Sequence, residues 1–202
     1  SIAGGSANNM LLENGGYLVV LDGHQASDTT VGSYGTLGVV SGGSATSTTI
    51  NSGGGQYVSS GGSATSTTIN GGRQDVFSGG SATSTTINGG LQVVSSGGSA
   101  TSTTINSDGW QDVNDGGSAT STTINSGAGQ AVNSGGSATS TTINSGGWQA
   151  VYSGGSATST TINSGGQLSV FSGSAVDITQ NSGGAIETDT SSDLSGTNAK
   201  GS

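Results

Sequence analysis

The chain has 202 residues with 41 glycines, 6 % charged and 4 % aromatic side chains, and neither proline nor cysteine, which leaves little material for an ordinary globular core and none for a disulfide framework. Two basic residues against eleven acids give a net charge of −9, which excludes a nucleic-acid partner, because two cations cannot neutralise a row of phosphates. The same scarcity excludes a cationic surface helix, and no apolar run nears the roughly 18 residues needed for this segment to insert in a membrane.

Along the chain, a unit of 18 or 19 residues repeats about ten times. It begins with degraded letters: Ala7, Ala26 and Ala45 stand 19 apart, as do Leu12, Val31 and Ile50. From Ser44 the block Ser-Ala-Thr-Ser-Thr-Thr-Ile-Asn recurs unchanged at Ser63, Ser81, Ser99, Ser118, Ser137 and Ser156, at spacings of 19, 18, 18, 19, 19 and 19. A Gln-x-Val follows the first six of these seven blocks, at Gln56/Val58, Gln74/Val76, Gln92/Val94, Gln111/Val113, Gln130/Val132 and Gln149/Val151. The shorter units lose one residue from the turn after Asn70 and Asn88. At the far end the block returns from Ser174 to Asn181, with Val176 and Ile178 for two threonines and Gln180 in the isoleucine place. Ile186 and Thr188 then take the Gln and Val places. Residues 1–188 read as one repetitive domain and 189–202 as a non-repeating tail.

Each unit carries two strand signals, Ala-Thr-Ser-Thr-Thr-Ile and Gln-x-Val-x, separated by Asn-Ser-Gly-Gly and Ser-Gly-Gly-Ser turns. One unit alone buries nothing. Stacked units bury a continuous core and pair each strand with the next coil. The prediction is an all-β parallel β-helix of about ten coils, roughly 50 Å long at about 4.8 Å per coil. A flexible Gly/Ser linker would have no reason to place its apolar residues so strictly. Alternation sets Thr46, Thr48 and Ile50 inward and Ser47 and Thr49 outward, because the end coils fill the inward set with Val176 and Ile178, or Met10 and Leu12. Gln56 and Val58 also face inward, since Leu18, Leu37, Leu168 and Ile186 occupy the Gln place near the ends. The glutamines are therefore predicted to form an internal ladder of side-chain amides.

Residues that carry chemistry are sparse. The nearest candidates for a carboxylate pair are Asp112 and Asp115, within one coil, but one holds an outward strand position and the other a turn. With no basic or histidine partner, they read as solvated acids rather than a hydrolase pair. His24 is the one histidine and cannot by itself build a triad or a zinc site. No catalytic residue, metal or cofactor is assigned. Trp110 and Trp148 share one outward column, and Phe77, Tyr152 and Phe171 another; the rings are expected to be covered by neighbouring coils. Ser47/Thr49 and their equivalents would form outward hydroxyl ranks. Such ranks support an ice-binding solenoid as one alternative; an unmodified structural rod is another.

The unit Ser-Gly-Gly-Ser-Ala-Thr-Ser-Thr-Thr-Ile-Asn-Ser-Gly-Gly-x-Gln-x-Val-x resembles the repeat of the self-associating autotransporter adhesins, over about residues 6–188. The resemblance implies a right-handed β-helix passenger domain at the bacterial cell surface, carried across the outer membrane by a separate barrel. It implies adhesion to a host-cell receptor, autoaggregation with itself on neighbouring cells, and biofilm formation. It also implies covalently attached heptose, O-linked to repeat hydroxyls by a heptosyltransferase. Accessible turn serines are then the acceptors. The first candidates are Ser41, Ser60, Ser78, Ser96, Ser134, Ser153 and Ser172, a column that Asp115 interrupts. The second are Ser44, Ser63, Ser81, Ser99, Ser118, Ser137 and Ser156, which close the same turn. Ser52, Ser107, Ser126, Ser145 and Ser164, on the opposite turn, are the third.

Overall fold

The computed structural model describes residues 5–197, so residues 198–202 of the expected tail lie outside the described residues; all elements within the described span are β-strands. One unit makes one coil, and the coil has three short strands rather than two. In the coil that starts at Ser44 they are Ser44–Thr46, Thr49–Asn51 and Gly55–Val58. The break between the first two is Ser47, whose φ of 56° lies in the left-handed region. That one residue interrupts the alternation and shifts the inward set before it. Ala45 is buried and Thr46 lies half-exposed on the outside, which corrects the expectation that Thr46 faces in. After the corner, Thr48 and Ile50 are buried as expected. The same corner leaves Asn8 exposed and Val176 half-buried in the end coils, while Leu12 and Ile178 stay in the core.

Identical residues stack in parallel register. Ala45 lies on Ala64 and Ala82, Ile50 on Ile69 and Ile87, and Gln56 on Gln74 and Gln92. The third strands form a ten-stranded sheet from Tyr17–Val20 to Ala185–Thr188. Each central coil delivers five residues to the interior. In the coil at Ser44 these are Ala45, Thr48, Ile50, Gln56 and Val58, none more than 1 % exposed. The second glycine of each Ser-Gly-Gly turn permits the stack to close: a Cβ on Gly62 would lie 2.1 Å from the Val39 carbonyl oxygen of the preceding coil.

Two of the five core residues are polar, and burying an amide or hydroxyl without partners costs a few kcal/mol, about 1–3 by mutational measures. Here the partners are supplied. Gln74 Nε2 donates to Gln56 Oε1 at 2.7 Å and to Thr67 Oγ1 of its own coil at 3.2 Å. Thr67 Oγ1 in turn donates to Gln56 Oε1 at 3.2 Å. The pattern continues through Gln92, Gln111, Gln130 and Gln149, with amide-to-amide distances of 2.7, 2.6, 2.5 and 2.6 Å. Inside the ladder each amide uses both N–H donors and both oxygen lone pairs, and each Thr hydroxyl accepts once and donates once. The ladder stops where Leu37 and Leu168 take the Gln place. Thr29 sits where neither its own coil (Leu37) nor the one below (Leu18) offers an amide, and its Oγ1 is buried without a partner. A second ladder, of asparagines, runs along one turn: Asn88, Asn106, Asn125, Asn144, Asn163 and Asn181 each donate to the asparagine below, at 2.8–3.1 Å. Beyond Thr188 the chain adds another strand, Asp193–Thr197, paired with Ser174–Gln180, and Leu194 packs on the end of the core.

The ladder sets two opposite expectations. Gln111→Leu strands donors and acceptors on Gln92, Gln130, Thr103 and Thr122, and should destabilise the rod by about 3 kcal/mol. Thr29→Val removes a hydroxyl that has no partner and should stabilise it by about 1 kcal/mol. Urea unfolding followed by circular dichroism measures both; a Gln111→Leu chain as stable as the parent would refute the ladder's role.

Candidate functional site

The outer surface carries four columns of serine, stacked coil on coil. The first is the Ser-Gly-Gly turn that leads from the third strand into the next coil. Ser41, Ser60, Ser78, Ser96, Ser134, Ser153 and Ser172 are all exposed there. The Gly43 N–H donates to the Val40 carbonyl at 2.9 Å, and Ser41 and Gly42 have φ of 52° and 82°, the signature of a type I′ turn. The column is not uniform. Ser60, Ser78, Ser96 and Ser172 share the left-handed φ, whereas Ser134, Ser153 and the intervening Asp115 do not, although Gly116, Gly135 and Gly154 after them do. Ser172 differs again. Its Oγ lies 3.0 Å from Asp189 Oδ2 and 2.7 Å from Ser191 Oγ, so this hydroxyl is already engaged.

The second column, at the start of the first strand, is less open. Ser44, Ser63, Ser81, Ser99 and Ser156 are half-buried, and only Ser118 and Ser137 are exposed. The third column, Ser52, Ser107, Ser126, Ser145 and Ser164, is exposed but has gaps, because the shortened turns at Asn70 and Asn88 have lost that serine.

The fourth column was not singled out from the sequence. It is the corner between the first two strands: Ser47, Ser66, Ser84, Ser102, Ser121, Ser140 and Ser159, all exposed, with φ between 56° and 59°. The corner amide reverses the direction of the ladder. Ser47 N–H donates at 2.9 Å to Thr65 of the next coil, whereas Thr49 N–H donates at 2.9 Å to Thr29 of the coil before. A non-glycine residue held in this region costs about 1 kcal/mol. The end coils place Asn9, Asp28 and Asp177 at the same corner. Asn and Asp tolerate left-handed φ, and this was the available signal. Because Ser47 stands at the corner and Thr49 on the following strand, the two do not form one flat hydroxyl rank.

The two outward tryptophans cover backbone. Trp110 and Trp148 belong to coils two apart, yet their ring centroids are 5.4 Å from each other, tilted by 45°. They close over Gly129 of the coil between, where a Cβ would fall 1.9 Å from Trp110 Cζ3. Tyr152 stacks on Phe171 at 5.9 Å but remains 37 % exposed, which corrects the expectation that it is covered, and Phe77 is half-buried. Asp112 accepts from Trp110 Nε1 at 2.6 Å, while Asp115 stands exposed on its turn, so the two do not work as a pair. The His24 ring Nδ1 lies 2.8 Å from the Asp22 carbonyl oxygen. Among the described residues no three His, Cys, Asp or Glu side chains gather as a metal site. No helix among them is long and apolar enough to cross a membrane. What the surface can offer chemically is therefore rows of hydroxyl nucleophiles that need an external base.

Fold and surface together define a parallel β-solenoid rod, its outer face a periodic array of Ser, Thr and Asn. The chain belongs to the autotransporter adhesin stalks: the family described as "Adhesin of bacterial autotransporter system, probable stalk" matches residues 1–54, 34–72, 69–109, 87–129 and 125–166. Over 33 residues, 16 % of this chain and 3 % of the relative, it is 88 % identical to the autotransporter adhesin/invasin TibA of Escherichia coli O78:H11. Over 31 residues, 15 % of this chain and 2 % of the relative, it is 71 % identical to the autotransporter CRAC of Citrobacter rodentium. The matched stretches are thus a small fraction of those curated relatives. The fold is also similar to the crystal structure of a TibC-catalysed, hyper-glycosylated TibA fragment, with a TM-score of 0.52 and 47 % identity, covering 96 % of this chain and 92 % of that one. Membership of the family places the rod in the surface-exposed passenger of an outer-membrane autotransporter system.

The engagement of Ser172 depends on the charge of Asp189. The Ser192 hydroxyl, 2.5 Å from Oδ1, together with the Ser172 and Ser191 N–H groups, holds this carboxyl at about 2 instead of 3.8. A lowered carboxyl stabilises the fold above its unfolded value and loses that contribution as pH falls through the folded one. Amide-exchange protection at Ser172 and Ser191 should hold down to about pH 4 and fall between there and about pH 2. Protection unchanged at pH 2 would show that the ionised carboxylate does not hold this turn.

Proposed function

We propose that this chain is a segment of a glycosylated, self-associating adhesin stalk, with O-linked heptose on its repeat serines, attached by a transferase of the heptosyltransferase class. The observation that carries the reading is the array of exposed serine hydroxyls, in register on successive coils, on a rod 47 % identical to a hyper-glycosylated relative. Candidate acceptors are the exposed columns headed by Ser41 and Ser52, with the less open column headed by Ser44 behind them. The repetitive body to residue 188 acts as one rod, and the strand Asp193–Thr197 after it pairs with its last coil. No catalysis is asked of the rod itself. It presents many weak, identical contacts, so rods on neighbouring cells, or a host-cell receptor, bind through multivalency. An unmodified rod is the second reading, favoured by an internal glutamine–threonine ladder whose hydrogen bonds are made without sugar.

The test is the intact mass of this chain expressed with and without TibC, the enzyme of the glycosylated relative, alongside sedimentation of cells that display it. A ladder of equal mass increments and faster settling of the glycosylated population are expected. A bare mass in both cases removes the sugar from the mechanism. Equal settling by a rod cut to three or four coils removes the multivalency.

A further inference from the structure

We propose that the principal sugar acceptors are the seven corner serines Ser47, Ser66, Ser84, Ser102, Ser121, Ser140 and Ser159; this rests on the glycosylated-stalk reading and deepens it. Three observations converge. The first is residue choice against backbone preference. The corner requires left-handed φ in all ten described coils, and in three of them it is filled by Asn9, Asp28 and Asp177. Those are the non-glycine residues that adopt this conformation most readily. The seven central coils instead hold serine, which is less suited to the conformation, without exception. Strain retained at an exposed position, where a better residue is used elsewhere in the same chain, points to a need for the hydroxyl.

The second is uniformity. A transferase that modifies coil after coil must meet the same shape each time. The first column changes its backbone at Asp115, Ser134 and Ser153 and engages its hydroxyl at Ser172. The third is missing from the two coils shortened after Asn70 and Asn88. The corner keeps φ within 56–59° through coils of either length, and its N–H donates to the next coil at 2.8–2.9 Å every time. The third is access. The corner residue is exposed and flanked by two three-residue or shorter strands that hold it rigidly outward. Ser44 and most of its equivalents are half-buried at the strand start.

The step is a glycosyl transfer from a nucleoside-diphosphate sugar. The corner Oγ attacks the anomeric carbon, forming the Oγ–C1 bond. The bond from C1 to the diphosphate oxygen breaks, the nucleoside diphosphate leaves, and the serine proton passes to a base on the transferase. No oxidant or reductant is needed.

The test replaces all seven corner serines by asparagine in the full 202-residue chain, co-expressed with TibC, and compares intact mass, mapped sites and melting temperature with the parent. Asparagine suits left-handed φ, so the variant should melt at or above the parent's temperature while losing at least seven sugar increments. Site mapping of the parent should find the corner peptides occupied and those containing Asn9, Asp28 and Asp177 bare at that position. A variant that keeps all its increments, with sugar mapped to Ser41, Ser60 and their column, overturns the corner assignment and leaves the glycosylated stalk standing. A parent with no increment at all overturns both.

Discussion

The rod depends on a hydrogen bond repeated through its central coils, in which each glutamine amide from Gln74 to Gln149 donates to the one beneath it. With only 28 % hydrophobic residues the chain cannot fill a solenoid interior with aliphatic side chains alone. The glutamine and threonine columns supply the missing volume, and they are tolerable there only because stacking completes their hydrogen bonds. The arrangement is self-enforcing. A slip of one residue would turn the strand amides outward and their outward-facing neighbours inward, so the ladder fixes the register as well as the core.

Where the ladder does not act, the chain varies. The shorter units lose their residue from an outer turn, away from the inward columns, and coils of either length keep the five core positions in register. The letters that change from coil to coil lie on the outer face of the third strand: Gly55, Arg73, Leu91 and Trp110 in one column, Tyr57, Asp75, Val93 and Asp112 in the next. That face is patched locally. Arg73 and Asp75 pair at 2.7 Å, and two tryptophans cover a glycine. The other two faces present only Ser, Thr and Asn in the central coils. A rod with one variable face and two invariant hydroxyl faces suits a stalk that is modified repeatedly and binds by repetition.

The periodicity, the parallel stacking and the inward glutamines were legible in the sequence, because each depends on which residue types recur at a constant spacing, and the family was legible as a resemblance in the letters of the repeat. The tryptophan pair was seen as a column, and its covering role follows from Gly129 lying in the coil between. Alternation alone sets Thr46 inward and makes the corner serines ordinary outward strand residues, and the structure differs at both for a single reason. Alternation assumes an unbroken strand, and a serine is not a residue whose presence announces left-handed φ.

The sequence by itself determined a stacked β-rod with a glutamine row inside, because a repeat that keeps its apolar and amide positions at a constant interval has only stacking as a way to bury them. The tertiary structure decided how many sides each coil has and which hydroxyls project. The corner is held by an amide that bonds forward to the next coil while its neighbours bond back, and that reversal exists only once the coils are stacked.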